Sequence, residues 1–117
     1  MPDITISTHI LNTATGKPAS NVPVALHRLG SKGEWTAAVA AENITTNSDG
    51  RIDAPFRVGV DPTDRTTFRM RFETANVSDF YPYVEIVFVV DLKADPRTHF
   101  HIPLLLSPFG YSTYRGS

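Results

Sequence analysis

The chain has 117 residues, of which 41% are hydrophobic and 20% charged, and its formal net charge is -1. This composition excludes an intrinsically disordered chain, and the length fits one domain over residues 1–117. The 11 Lys and Arg against 12 Asp and Glu exclude a strongly basic domain that neutralises the phosphates of a nucleic acid. Because there is no Cys, no disulfide can form, and stability must come from packing of the core or from oligomerisation.

Targeting and membrane segments are not evident in the sequence. Residues 1–6 lack the basic stretch and long apolar run of a secretory signal. The longest apolar run, residues 86–90, is far shorter than the roughly 20 residues that cross a bilayer. We therefore expect a cytoplasmic protein that has no membrane partner.

Alternation of apolar and polar residues with a period of two recurs along the chain and predicts short strands. The first strand, residues 4–11, places Ile4, Ile6 and Ile10 on one face and His9 on the other. Turn-forming residues separate the later strands, which the pattern predicts at residues 22–27, 35–39, 51–56, 67–73, 84–90, 100–106 and 110–117. Pro23 cannot donate to a ladder, so we expect the second strand to lie at an edge or to carry a bulge.

The remaining segments favour an all-β domain. Residues 74–79 have room for at most one helical turn. Val87 and Val89 are apolar on the face opposite Val84 and Ile86, so we expect a neighbouring subunit or a short helix to cover them. Eight short strands in one domain predict a single antiparallel β-sandwich.

Histidines are the first candidates for chemistry. His99 and His101 lie two residues apart on a predicted strand, so both imidazoles lie on one face. Such a pair also occurs on ordinary polar strand faces, and the spacing alone leaves both interpretations open. His9, His99 and His101 could also supply three zinc ligands with an open fourth position. No Asp or Glu directly flanks the pair, and this disfavours a metal site.

An arginine and the chain end are the other candidates. Arg51 follows a turn at residues 47–50 and points away from Ile52, as a solvated strand arginine also would. Residues 114–117 continue a β-rich run rather than a disordered tail. Neither a Gly-rich phosphate loop nor a Gly-x-Ser-x-Gly elbow occurs. The residues alone therefore predict a β-sandwich with a candidate His and Arg site.

Four motifs together extend this prediction. The first is Ile-Ser-Thr-His-Ile-Leu-Asn at 6–12, followed by Gly-Lys-Pro-Ala at 16–19. The second is Asn-Ser-Asp-Gly-Arg at 47–51, and the third is Phe-Tyr-Pro at 80–82. The fourth begins with His-Phe-His at 99–101 and continues to Tyr-Arg-Gly-Ser at 114–117. In these motifs the chain resembles the 5-hydroxyisourate hydrolases, the transthyretin-related proteins of urate breakdown. The resemblance covers essentially the whole chain. It departs at residues 74–79, where the family has a longer helical stretch, and at the slightly extended loop 91–97.

The resemblance implies a transthyretin-like antiparallel β-sandwich of two four-stranded sheets with at most one short helix. It also implies a homotetramer with active sites in the channel between dimers, and no metal or cofactor. The implied reaction is hydrolysis of 5-hydroxyisourate to 2-oxo-4-hydroxy-4-carboxy-5-ureidoimidazoline in urate catabolism. The implied catalytic residues are His9, Arg51, His101 and Ser117. Substrate binding is implied for these four and for Tyr114, Arg115 and Gly116, while His99 is given a supporting role.

Chemistry follows from these residue types. A neutral imidazole, with an ordinary pKa of about 6.5, suits removal of a proton from water at neutral pH. Either His9 or His101 is the expected base, and the other orients water or protonates the leaving nitrogen. Arg51 offers a planar set of donors to substrate oxygens and to a developing oxyanion. Ser117 offers its hydroxyl and its terminal carboxylate.

Two other classes of function are the alternatives. Vertebrate transthyretin shares the implied fold and is a non-catalytic carrier of small ligands. A carrier would need an apolar channel, whereas His9, Arg51, His101 and the chain end predict a polar one. A β-sandwich adhesion module, the third class, would not bring His and Arg side chains together.

Overall fold

A computed structural model describes residues 2–39 and 44–116. These residues form strands and no helix, and they confirm the predicted all-β class. Around residues 74–79 the chain makes a single turn, in which the Ser78 N–H donates to the Thr74 carbonyl at 2.9 Å. The strands are β1 (Asp3–Ser7), β2 (Ile10–Asn12), β3 (Lys17–Pro18), β4 (Val24–Leu29), β5 (Trp35–Ala37), β6 (Phe56–Gly59), β7 (Arg65–Phe72), β8 (Val84–Asp91), β9 (His99–His101), β10 (Leu104–Ser107) and β11 (Gly110–Thr113).

The described residues form three sheets rather than the predicted two four-stranded sheets. There are three sheets, with strand orders β6-β1-β9, β11-β10-β2-β3 and β5-β4-β7-β8. The first two are consecutive parts of one layer, because β1 continues into β2 and β9 into β10. The layer breaks beside Pro103, which has no N–H to donate to a ladder. Across the break, the Thr8 hydroxyl donates to the Ile102 carbonyl at 2.6 Å.

Strand direction is a second correction. The sandwich is not purely antiparallel, since β1 pairs with β9 and β2 pairs with β10 in parallel. Between β2 and β9 the chain crosses twice to the β5-β4-β7-β8 sheet, and β6 lies in the first layer between the two crossings. Period-two alternation reports which face a residue occupies but not the direction of the neighbouring strand, so the sequence could not distinguish the two arrangements.

The core lies between the two layers. Ile4 and Ile6 of β1 face Phe68, Met70 and Phe72 of β7 across it, and all five side chains are fully buried. Burial of each such side chain contributes about 1.5–3 kcal/mol before the entropy of ordering it is subtracted. Because alternate residues of a strand point to opposite faces, this burial directs the intervening residues of β1 away from the core.

Two valines of β8 have no cover within the described residues. Val87 is 56% exposed and Val89 is 44% exposed. No helix of the described residues covers them, and cover by a neighbouring subunit stays a prediction. The described residues also include no helix that is long and apolar enough to span a membrane.

Candidate active site

One side of the β6-β1-β9 sheet, away from the core, carries the candidate residues. We call it the polar face and define it by Thr5, Ser7, His9, His99 and His101. Thr5 lies opposite His99 and Ser7 opposite His101 in the parallel register of β1 and β9. Residues that are directly opposite in a ladder share a face, so four of these side chains form two adjacent rows. His9 continues the β1 side of the face by one step.

Arg51 reaches the polar face through a tight turn. Asn47 accepts the N–H groups of Asp49 at 2.9 Å and Arg51 at 3.2 Å with its side-chain oxygen. Gly50 has φ +73°, and a Cβ on it would lie 2.5 Å from the Ile10 carbonyl oxygen, so the position requires glycine. The turn leaves Arg51 opposite His9 in an isolated antiparallel bridge. His9 and Arg51, which are 42 positions apart in the sequence, therefore share the face.

His101 is a half-buried imidazole of the polar face. Its Nδ1 lies 2.8 Å from the Ser7 hydroxyl. Half-burial of the ring lowers the pKa of His101, and the positive charges of Arg51, His9 and His99 lower it further. The unprotonated form therefore dominates at neutral pH, which suits a proton acceptor.

His99 is exposed and lies at the outer end of the same face. Its Nδ1 is 2.6 Å from the Thr5 hydroxyl, and its Nε2 is 3.3 Å from the Ser7 hydroxyl. Ser7 thus contacts both histidines of the pair. The sequence motifs assign no role to Ser7, although alternation places it on the same face of the first strand as His9.

The chain end packs on His101. The Gly116 N–H donates to the His101 carbonyl at 2.8 Å, and the two residues form an antiparallel bridge. A Cβ on Gly116 would lie 2.7 Å from Cδ2 of the His101 ring, so only glycine permits this approach. Ser117, which the resemblance places among the catalytic residues, lies outside the described residues.

Arg115 is not brought together with the histidines. Its guanidinium stacks on the ring of Phe100 at 4.8 Å, and Phe100 is buried on the core side of β9. Its Nη1 also lies 2.8 Å from Oδ2 of Asp95, in the loop before β9. Tyr114 is exposed and makes no described hydrogen bond with His9 or His101. Of the four terminal residues, the structure therefore shows Gly116 in contact with the candidate histidines.

The zinc alternative gains no support from the geometry. Over residues 2–39 and 44–116, no three His, Cys, Asp or Glu side chains are arranged to hold a metal ion. His9, His99 and His101 share a face, but Thr5 and Ser7 occupy three of the four ring nitrogens of His99 and His101. His27 belongs to the other sheet, where it contacts Arg69 at 3.3 Å.

Comparison with solved structures defines the class of the protein. The crystal structure of sea bream transthyretin in complex with thyroxine is 25% identical, with a TM-score of 0.71 over 95% of this chain and 93% of that one. The structure of Klebsiella pneumoniae 5-hydroxyisourate hydrolase is 36% identical, with a TM-score of 0.65 over 97% of this chain and 99% of that one. The protein is thus a transthyretin-like β-sandwich.

Sequence comparison then gives the family. The model of the HIUase/Transthyretin family matches residues 6–116. The 5-hydroxyisourate hydrolase 2 of Rhizobium meliloti is 41% identical over 118 residues, which cover 96% of this chain and 95% of that protein. The chain belongs to the HIUase/Transthyretin family.

Proposed function

We propose that this protein hydrolyses 5-hydroxyisourate to 2-oxo-4-hydroxy-4-carboxy-5-ureidoimidazoline, a step of urate catabolism. The observation that carries the proposal is the polar face, on which His9, Arg51 and His101 meet from three distant parts of the chain. Relatives of similar length that carry the name 5-hydroxyisourate hydrolase support it. The enzyme is a cyclic amide hydrolase that needs no cofactor.

His101 is assigned as the general base. Its Nδ1 is held by Ser7, so the remaining ring nitrogen, Nε2, is the one that takes a proton from the attacking water. The lowered pKa of His101 keeps this nitrogen unprotonated at neutral pH. A positioned base of this kind contributes roughly 10²–10⁴ in rate. Water then adds to the carbonyl carbon of the ring C–N bond, and that bond breaks.

His9 and Arg51, which share the polar face with His101, complete the reaction. Arg51 donates to the substrate oxygens and to the oxyanion that forms when water adds. His9 protonates the nitrogen that leaves, so that the ring opens without a free amide anion. Gly116 lets the chain end approach His101, and the assignments of Tyr114, Arg115 and Ser117 to substrate binding stay part of the proposal.

A direct assay tests the function. 5-Hydroxyisourate is generated from urate, and its ultraviolet decay is followed with and without the protein. We expect an acceleration over spontaneous decay that the double variant His9→Asn with His101→Asn, purified in the same way, does not give. Equal decay with and without the wild-type protein would reject the proposal.

A carrier of small ligands is the second candidate function, because sea bream transthyretin was crystallised with thyroxine. The polar face argues against it here. Half-buried His9 and His101 beside the exposed Arg51 would have to lose water to an apolar ligand without gaining hydrogen bonds, which is costly.

The proposal includes a cytoplasmic homotetramer with a small-molecule substrate and no nucleic-acid or membrane partner. Exposed Val87 and Val89 support the assembly, because an exposed apolar patch is often covered by a partner subunit. β8 and β11 are also edge strands, and their unpaired backbone groups can bond to the same strands of another copy. We expect sedimentation to give four times the 12.9 kDa mass of the chain. Charged variants at the two sites, Val87→Lys and Val89→Lys, should reduce that mass. A fully active wild-type monomer would contradict the prediction.

Removal of metal ions is expected to leave the rate unchanged. The imidazoles of His9 and His101 are assigned to proton transfer, which a chelator does not affect. The measurement is steady-state hydrolysis before and after dialysis against a strong chelator. A loss of activity that zinc restores would support a zinc site formed by His9, His99 and His101.

The pH dependence follows from the lowered pKa of His101. A base works in its unprotonated form, so lowering its pKa extends activity toward acid. We therefore expect the acid limb of kcat/KM to have its midpoint below about 6.5, the ordinary pKa of histidine. The profile is measured after subtraction of spontaneous decay at each pH. An acid midpoint above the ordinary value would contradict the assignment of His101.

A further inference from the structure

Four side chains of the polar face form one continuous series of hydrogen bonds. The Thr5 hydroxyl lies 2.6 Å from Nδ1 of His99, and Nε2 of His99 lies 3.3 Å from the Ser7 hydroxyl. The Ser7 hydroxyl lies 2.8 Å from Nδ1 of His101. The series therefore runs from exposed His99 to half-buried His101, the assigned base.

The Ser7 hydroxyl has a single proton, so it donates to one imidazole and accepts from the other. In one direction, His101 Nδ1–H donates to Ser7 and Ser7 donates to His99 Nε2. Nε2 of His101 is then a proton acceptor. In the other direction, His99 Nε2–H donates to Ser7 and Ser7 donates to His101 Nδ1. Nε2 of His101 then carries a proton. Reversal of the series thus changes His101 from a base to an acid.

We propose that Ser7 and His99 are relay residues that carry the proton taken up by His101 out to solvent. This inference rests on the proposed function. As Nε2 of His101 takes a proton from water, the Nδ1 proton passes to Ser7 and the Ser7 proton passes to Nε2 of His99. His99 passes its Nδ1 proton to the Thr5 hydroxyl, which releases a proton to water at the exposed end. One proton enters and one leaves, so His101 stays neutral while water attacks. After the product leaves, Nε2 of His101 gives its proton to water and the series runs back, with one proton re-entering at Thr5, so that His101 is again a base.

The relay keeps the half-buried His101 free of charge while water attacks, which avoids the cost of burying an unpaired charge. His101 is half-buried behind Ser7 and Gly116, whereas His99 is exposed. Both relay residues act through His101 and do not have to touch the substrate.

Kinetics of single variants test the relay. Ser7→Ala and His99→Gln are each expected to lower kcat about tenfold with KM changed less than about twofold, because proton transfer is lost and binding is kept. Ser7→Thr, which retains the hydroxyl, should restore most of kcat. Free imidazole in the buffer should raise kcat of His99→Gln but not of the wild type. Ser31→Ala, the same substitution in an exposed turn, is the matched control and should be neutral.

Spectroscopy separates failure of the relay from failure of the proposed function. The ¹⁵N resonances of the His99 and His101 rings report their tautomers without any substrate. We expect Ser7→Ala to change both sets of resonances, while Ser31→Ala changes neither. Unchanged resonances in Ser7→Ala, or unchanged kcat in both relay variants of an active enzyme, would overturn the relay. A wild-type protein that does not hydrolyse 5-hydroxyisourate would overturn the proposed function instead, and with it the relay's role in turnover.

Discussion

Deletion of residues 114–117 is expected to leave a folded β-sandwich that has lost hydrolysis. The last strand, β11, ends at Thr113, so its whole ladder with β10 survives the deletion. The losses are the contact of Gly116 with the His101 backbone and ring, and the ion pair of Arg115 with Asp95. A positioning error of about 1 Å at a catalytic group can cost roughly a hundredfold in rate.

Circular dichroism and steady-state hydrolysis on one preparation measure both parts of this prediction. The single variant Gly116→Ala sharpens it, because a Cβ there would lie 2.7 Å from the His101 ring and must displace it. Gly59→Ala is the matched control, since its Cβ would meet its nearest neighbour at an ordinary 3.5 Å. A folded and fully active truncation would show that residues 114–117 are merely the end of a strand.

Replacement of either catalytic histidine by Asn is expected to lower turnover by at least about a hundredfold, since an amide cannot act as a general base or acid. His9 and His101 are partly exposed and face away from the core, so the fold should tolerate both changes. His99→Asn should cost less, because His99 acts at the outer end of the relay. Steady-state kinetics with circular dichroism on each variant make the comparison.

His27→Asn is the control for these variants. His27 contacts Arg69 on the other sheet and should tolerate the change without loss of turnover. A loss at His99 equal to that at His101 would contradict the assignment of the base. Full activity in His9→Asn would remove His9 from the mechanism.

Local pattern predicted which side chains are buried. Ile4, Ile6 and Ile10 are fully buried and His9 lies on the opposite face, as the alternation indicates. The turn before Arg51 was also predictable, because Asn47 and Gly50 have the side-chain oxygen and the positive φ that it requires. These features depend on neighbouring residues, and a strand pattern contains that information.

Pairing over long distances was not predictable from the same pattern. The edge position expected for the second strand because of Pro23 is wrong, since β4 lies between β5 and β7. The strand begins at Val24, just after the proline, so the missing N–H lies outside the ladder. The separation of Arg115 from the polar face was not predictable either, because its partner Asp95 lies 20 positions away in a loop.

The contact between β1 and β9 has a consequence for how the protein acquires its activity. Ser7 and His101 are separated by 94 positions, so the polar face closes a loop that spans most of the chain. The antiparallel pairs of β4, β7 and β8 join nearer segments and have less chain entropy to overcome. During synthesis, β1 must therefore wait for β9 before Thr5 and Ser7 can pair with His99 and His101. Activity would be the last property to appear in refolding, and a stalled or truncated chain would be inert however well its other sheet had formed.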